Sequence, residues 1–257
     1  MIQDFIKYFW LQEGFTYDPL EGQLLGIYHI IMLVISVLFF VIFWHFGKKA
    51  KNKDAWMIFT GSLLFILELL RVLNFHYVYN MSWVGALSFH LCSIGVYLMI
   101  IAGLFRRKWM FEMVFLHALL ASPMAILIPT GILPWHNPYS FLPLQSYISH
   151  VLLWFGIVYA WKNDFFKVSY KRYYIPVASV LLSTVLAYGM SMYNLNNNTG
   201  GFTNFFWTRY GEPMFDIIVP LPYPYYLIVL LTLLIGAGFF TYYLFQRWEQ
   251  KRNLQEN

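Results

Sequence analysis

LLGIYHIIMLVISVLFFVIFWHF, running from Leu24 to Phe46, spans 23 consecutive residues without a charged side chain. As a helix it would reach about 35 Å at about 1.5 Å of rise per residue, enough to cross a hydrocarbon layer of about 30 Å. A helix on the surface of a water-soluble protein would break such a run with polar residues on its wet face. Outward from this stretch, similar segments recur at Ala55–Val78, Trp83–Phe105, Met110–Ile128, Pro143–Trp161, Tyr173–Tyr193 and Tyr223–Gln246. The composition agrees: of 257 residues, 60% are hydrophobic, 21% aromatic and only 11% charged, where an ordinary soluble domain has roughly a quarter charged. A soluble enzyme is thereby excluded, and residues 1–257 read as one polytopic membrane domain.

Charge placement tests the segment count. Every lysine and arginine except Lys7, Arg71 and Arg209 falls after the first, third, fifth or seventh segment. The positive-inside rule makes those connections cytoplasmic. The expected fold is therefore all-α, a bundle of seven transmembrane helices with the N-terminus outside and the C-terminus inside. The net charge of +5 belongs to this topology, so nucleic acid is not an expected partner. Cys92 is the single cysteine, which excludes an internal disulfide and a multi-cysteine metal centre. Asp4, Glu13, Asp18 and Glu21 against one Lys7 give the N-terminal stretch the wrong sign for a cleaved signal peptide. Ile2, Phe5, Ile6, Phe9 and Trp10 recur there at helical spacing, and a short amphipathic helix is expected at about 2–12, lying on the outer interface.

Ionisable groups inside a spanning helix are expensive and point to function. Segment two runs outward, which puts Glu68, Arg71 and Asn74 in its outer half, on one stripe at spacings of three. Segments three and five enter from outside, so Ser88, His90, Cys92 and Ser93 on one and Gln145, Ser146, Ser149 and His150 on the other fall at the same level. Taken singly, these groups have structural explanations. Glu68 and Arg71 can be an ion pair that fixes packing, the histidines neutral imidazoles bonded across helices, and Cys92 a small buried apolar side chain. Their coincidence on one level is what argues for a site.

The chemistry this set permits is nucleophilic acyl transfer. A thiol alone in apolar surroundings is inert, whereas an adjacent imidazole can take its proton and free the thiolate to attack an ester. Cys92 and His150 could be such a pair. His90 is less well placed as the base, since two residues along a helix turn it about 200° away from Cys92 unless the helix is broken there. Arg71, Asn74 and Ser93 are available donors for an oxyanion. A metal would need three ligands such as His90, His150 and Glu68, but no compact motif of the H-E-x-x-H kind is present. No metal and no cofactor are expected.

His90-Leu91-Cys92 near the outer end of the third segment and His150 in the fifth resemble the integral membrane proteins of the bacterial YwaF type. The late outer loop is similar in pattern, with Asn204, Glu212-Pro213 and Asp216 ahead of Pro222-Tyr-Pro-Tyr-Tyr226. That family is related to the animal transmembrane protein 164 family, described as a phospholipid acyltransferase with a Cys/His pair, and more distantly to androgen-induced membrane hydrolases with a Thr/His pair. The resemblance covers nearly the whole chain and implies Cys92 as the acyl-accepting nucleophile and His150 as the base. One position departs from the pattern: Ser88 stands where a proline is expected two residues before the histidine, which bears on the backbone geometry ahead of Cys92.

The expected function is an intramembrane lipid acyltransferase or lipid-ester hydrolase that works through Cys92 and His150 in the outer leaflet half. Glu68, Arg71, Asn74, His90, Ser93, Asn204 and Asp216 are expected to bind substrate or support the pair. Membrane phospholipids or other acyl lipids are the expected partners, and a bacterial plasma membrane the expected location. The alternative is a transporter or lipid-binding protein that uses the same polar level without covalent chemistry.

Overall fold

Short polar connections interrupt the apolar runs and decide where each helix stops. A computed structural model describes residues 3, 6–11, 25–128, 136, 139–205 and 224–256, with side chains to residue 251. Among these residues the long regular elements are all helices, and there are no strands. They are α1 (Ile27–Lys49), α2 (Lys53–Val78), α3 (Leu91–Phe105), α4 (Lys108–Leu127), α5 (Phe141–Lys162), α6 (Tyr174–Asn197) and α7 (Tyr225–Glu256). Asn52 caps α2 by accepting the Ala55 N–H on Oδ1 at 2.9 Å. Left-handed residues end α3 at Arg106 (φ 54°) and α6 at Asn198 (φ 48°), the conformation that closes a helix C-terminus.

Connections as short as Arg106-Arg107 force neighbouring helices antiparallel, so the basic residues gather at one end of the bundle. Arg106 pairs there with Asp54 at 3.0 Å, and Arg172 with the buried Glu112 at 2.8 Å. α5 is the central staff: 72% of its apolar window is buried, against 22% for α1 and 11% for α7. Those two outer helices leave many of their leucines, isoleucines and phenylalanines facing outward, as a helix in contact with lipid does. α2 and α3 cross where Gly61 meets Gly103. A Cβ added at Gly103 would stand 3.1 Å from the Gly61 Cα, and only small residues let two helices approach so closely.

Among the described residues, six helices are long and apolar enough to cross a membrane: α1, α2, α4, α5, α6 and α7. α3 is the exception and corrects the expected segment from Trp83 to Phe105. It starts at Leu91 and has 15 residues, about 22 Å of helix. The residues before it form a turn and an extended strap, Trp83 to His90, in which Ser82 Oγ accepts the Gly85 N–H at 3.0 Å. α4 is also irregular, with a π-type turn at His117–Ala121 just ahead of Pro123, where the missing proline N–H and its ring disturb the regular ladder.

The ends opposite the basic residues are tied together by polar contacts. His29 on α1 accepts the Leu25 N–H on Nδ1 at 3.0 Å and donates from Nε2 to the Ile126 carbonyl of α4 at 3.1 Å. Of the expected helix at about 2–12, residues 3 and 6–11 are described, and Ile6–Trp10 form a single π-type turn. Its Phe9 and Trp10 rings pack on Phe141 of α5, with centroids 6.1 and 4.7 Å away.

Candidate functional site

The strap decides how Cys92 is presented. His90 is the N-cap of α3 with extended backbone, φ −61° and ψ 151°, and its carbonyl accepts the first helical bond from the Ile94 N–H at 2.9 Å. Cys92 is therefore the second residue of a helix. The N–H groups of Leu91, Cys92 and Ser93 belong to the first turn, where no carbonyl of the same helix can accept them. His90 is not turned about 200° away from Cys92 by helical geometry, because the helix begins after it. Its ring nevertheless turns elsewhere, edge-on to Phe202 and Phe205 at 5.8 and 5.3 Å.

Cys92 is set deep among its neighbours yet keeps some accessible surface, so it is not part of the sealed core. His150 of α5 stands opposite, and its ring and the thiol lie within hydrogen-bonding reach of each other. The two do not form a closed hydrogen bond, since the buried Nε2 of His150 has no hydrogen-bond partner. Catalytic contacts are commonly loose before substrate arrives. The other ring nitrogen is fixed: Nδ1 lies 2.6 Å from the Ser146 carbonyl oxygen one turn earlier. A carbonyl can only accept, so Nδ1 carries the proton and Nε2 is left as the basic nitrogen.

Glu68 and Arg71 form a buried pair on α2. Arg71 Nε donates to Glu68 Oε2 at 2.9 Å, and Nη2 donates to Oε1 of the same carboxylate. Nη2 also reaches the Tyr97 hydroxyl oxygen at 3.3 Å, and the guanidinium lies over the Phe75 ring, 5.2 Å from its centroid. Tyr97 is a residue that the sequence did not single out, and it links this pair to the strap: its hydroxyl oxygen accepts the Ser88 N–H at 3.2 Å. Glu68 is also within Coulombic range of His150. Ser93 Oγ and Ser88 Oγ are bonded at 2.9 Å across the start of the helix.

Other expected site residues point away. Asn74 donates from Nδ2 to the Trp10 carbonyl at 3.0 Å, so it anchors the N-terminal turn. Gln145 donates to Ser149 Oγ at 3.0 Å within α5. Asn204 lies in the late loop beside Phe205, and Asp216 lies outside the described residues. Among the described residues, no group of three or more His, Cys, Asp and Glu converges on a place for a metal ion.

A roof of backbone covers the strap. The Ser82 N–H donates to the Thr199 carbonyl at 2.9 Å, and a Cβ on Gly85 would come within 2.6 Å of that same oxygen. Asn194 holds the roof from α6, accepting Thr199 Oγ1–H on Oδ1 at 2.8 Å and donating from Nδ2 to the Phe202 carbonyl at 2.9 Å. The Phe205 N–H reaches Ser191 Oγ at 2.9 Å. Sequence reading missed Asn194, Ser191 and Thr199 in this role, and their only signal was a polar residue at each end of the loop. His117, the other intramembrane histidine, is satisfied at both nitrogens, by the Met113 carbonyl at 3.1 Å and Ser183 Oγ at 2.9 Å. The structure therefore brings Cys92, His150, Ser93 and the Glu68/Arg71 pair into one neighbourhood, and leaves Asn74 outside it.

The arrangement sets a thiol near an imidazole with a fixed tautomer, beside a helix N-terminus, a combination that is chemically compatible with acyl transfer. A model of the TMEM164 family matches residues 24–243 of the chain. No curated protein and no solved structure gives a significant match.

Proposed function

The chain belongs to the TMEM164 family, and from that premise and the facing of Cys92 and His150 we propose that it is a multi-pass membrane enzyme that transfers or hydrolyses lipid acyl groups. The observation that carries the proposal is the single cysteine at a helix start, within reach of an imidazole whose Nδ1 is held by the Ser146 carbonyl and whose Nε2 is buried and unpartnered. A satisfied structural histidine looks different, as His117 illustrates with a partner on each nitrogen.

His150 Nε2 takes the Cys92 thiol proton as Sγ attacks the ester carbonyl carbon, and the carbonyl electron pair moves to oxygen. When that oxyanion collapses, the carbon–oxygen ester bond breaks and the alkoxide leaves with the proton from Nε2. A second alcohol or a water molecule then attacks the thioester, giving its proton to Nε2, and the thiol is regenerated. Glu68, within Coulombic range of His150, stabilises the imidazolium formed in each half. His90, Asn204 and Asp216 are the further residues assigned to binding substrate or supporting the pair. Membrane phospholipids or other acyl lipids are the substrates.

The same reading includes seven crossings with the basic end inside. α3 supplies about 22 Å of helix from that end, and the strap from Trp83 completes the distance. Cys92 then lies in the outer leaflet half, at a depth where ester carbonyls of a lipid can reach it. Kinship with the bacterial YwaF-type proteins and a plasma-membrane location are further parts of the proposal.

Intact-protein mass spectrometry after incubation with mixed phospholipid vesicles tests it. The expected result is a hydroxylamine-sensitive mass gain of one fatty acyl group in the wild type and none in Cys92→Ala or His150→Ala. An unmodified wild type whose Cys92 also resists a small membrane-permeant thiol reagent would favour the alternative, a transporter or lipid-binding protein with a non-covalent site at the same level.

A further inference from the structure

We infer that Ser93 supplies the oxyanion hole of this site, through its backbone N–H and its hydroxyl, with Ser88 feeding a second hydroxyl proton behind it. The inference rests on the acyl-transfer reading above and assigns it a catalytic residue. Thiolate attack on an ester places a full negative charge on the former carbonyl oxygen, two bonds from the sulfur, and donors must already be aimed at that place. Both the Ser93 N–H and the Ser93 hydroxyl lie within hydrogen-bonding reach of Cys92 Sγ. No carbonyl of α3 can accept that N–H, because Ser93 is in the first turn of a 15-residue helix, and the positive end of the helix dipole lies beside it. Independently, the unpartnered Nε2 of His150, on a side chain that is only 8% exposed, faces the same sulfur. Base and donors thus converge on one atom from two different helices.

The other candidate donors are engaged. Arg71 has Nε and Nη2 on Glu68 and Tyr97. Asn74 gives its amide to the Trp10 carbonyl, and the His90 ring packs on Phe202 and Phe205.

Ser88 makes the hydroxyl effective. At rest the two hydroxyls are bonded to each other at 2.9 Å, and each can be donor or acceptor. As charge grows on the oxyanion, the Ser93 hydroxyl rotates to donate to it, and the Ser88 hydroxyl donates into the lone pair that Ser93 exposes. Ser88 can hold this position because its own N–H is bonded to the Tyr97 hydroxyl at 3.2 Å. A proline, the residue expected there, would have neither the hydroxyl nor the N–H.

The test separates acylation from alkylation at the same sulfur. The detergent-solubilised full chain is mixed with 4-nitrophenyl decanoate, and the nitrophenolate burst gives the acylation rate. Iodoacetamide gives the alkylation rate, in a displacement that forms no oxyanion. Ser93→Ala is expected to slow the burst about 10²-fold while alkylation changes by no more than about threefold. Ser88→Ala is expected to slow the burst about fivefold, the order of one hydrogen bond, and Ser93→Thr to restore most of the rate. A Ser93→Ala burst as fast as the wild type, or acylation and alkylation falling together, overturns the inference. Should Ser93→Ala not fold, a Ser88→Ala burst equal to the wild type overturns it as well. A wild type without a burst, or a burst that survives Cys92→Ala, is a different failure, because it removes the acyl-transfer reading itself.

Discussion

Ser146 and His150 lie one turn apart on α5, and the Ser146 carbonyl oxygen stands 2.6 Å from His150 Nδ1. The backbone of the helix thus holds the imidazole in one tautomer, the task that a buried carboxylate performs in a Ser-His-Asp triad. A main-chain carbonyl cannot be removed by changing a side chain, which makes the role of the ring separable from that of its support.

Substitutions at the two positions should diverge. Ser146→Ala removes only Oγ, 3.4 Å from Nδ1, and leaves the carbonyl in place. Acyl-thioester formation at Cys92 is expected to stay within about threefold of the wild type, less than one good hydrogen bond is worth. His150→Gln removes the base and is expected to slow the reaction by about 10²- to 10⁴-fold. Time courses of intact mass with phosphatidylcholine vesicles give both rates. Equal losses in the two variants would mean that the Ser146 hydroxyl, and not the carbonyl, orients the ring.

The Glu68/Arg71 pair predicts a characteristic pattern of stabilities. Arg71→Ala leaves a carboxylate on a side chain that is only 11% exposed without its cation, and breaking a buried pair in this way costs about 3–5 kcal/mol. Glu68→Ala/Arg71→Ala removes both charges and should be less destabilised than either single change. Tyr97→Phe keeps the ring but orphans the Ser88 N–H, at about 1–3 kcal/mol. Unfolding followed by tryptophan fluorescence in detergent measures all four proteins. Simple additivity of the two single changes would exclude a coupled pair.

The helices were legible because length and charge are one-dimensional properties. A run such as Leu24–Phe46 admits few structures, and the lysines that follow it mark where the helix stops. That Glu68, Cys92 and His150 come near one another was legible for the same reason, since position along a segment sets which residues of neighbouring helices lie side by side. Direction around the axis was not. The start of α3 at Leu91 depends on Ser88 being bonded to Tyr97 and Ser93, contacts across five and nine residues that no periodicity reveals. Asn74 belonged to the stripe by spacing, yet its amide is claimed by Trp10, 64 residues away. Tyr97 looked like one more aromatic in an apolar helix, because its hydroxyl acquires a task only when α2 is laid beside α3.

The backbone roof over the strap yields the last prediction. Gly85 and Gly201 meet with no room for a side chain, for a Cβ on Gly201 would fall 2.5 Å from the Gly85 carbonyl oxygen and 2.7 Å from Asn194 Nδ2. Gly201→Ala must therefore part the two loops, lengthening the bond from the Ser82 N–H to the Thr199 carbonyl. Amide exchange at Ser82 and Phe205 is expected to accelerate about tenfold or more, the signature of local opening rather than global unfolding. Cys92 alkylation should quicken with it, because Phe202 and Phe205 pack on His90 two residues from the thiol. Gly189→Ala is the matched control. Nothing lies within 4 Å of its added Cβ, so in the middle of α6 it should be neutral or stabilising by about 0.5–1 kcal/mol. If Gly201→Ala left exchange and alkylation at the Gly189→Ala level, the late loop would not be the cover of the site, and substrate access would have to be governed from the side of α2.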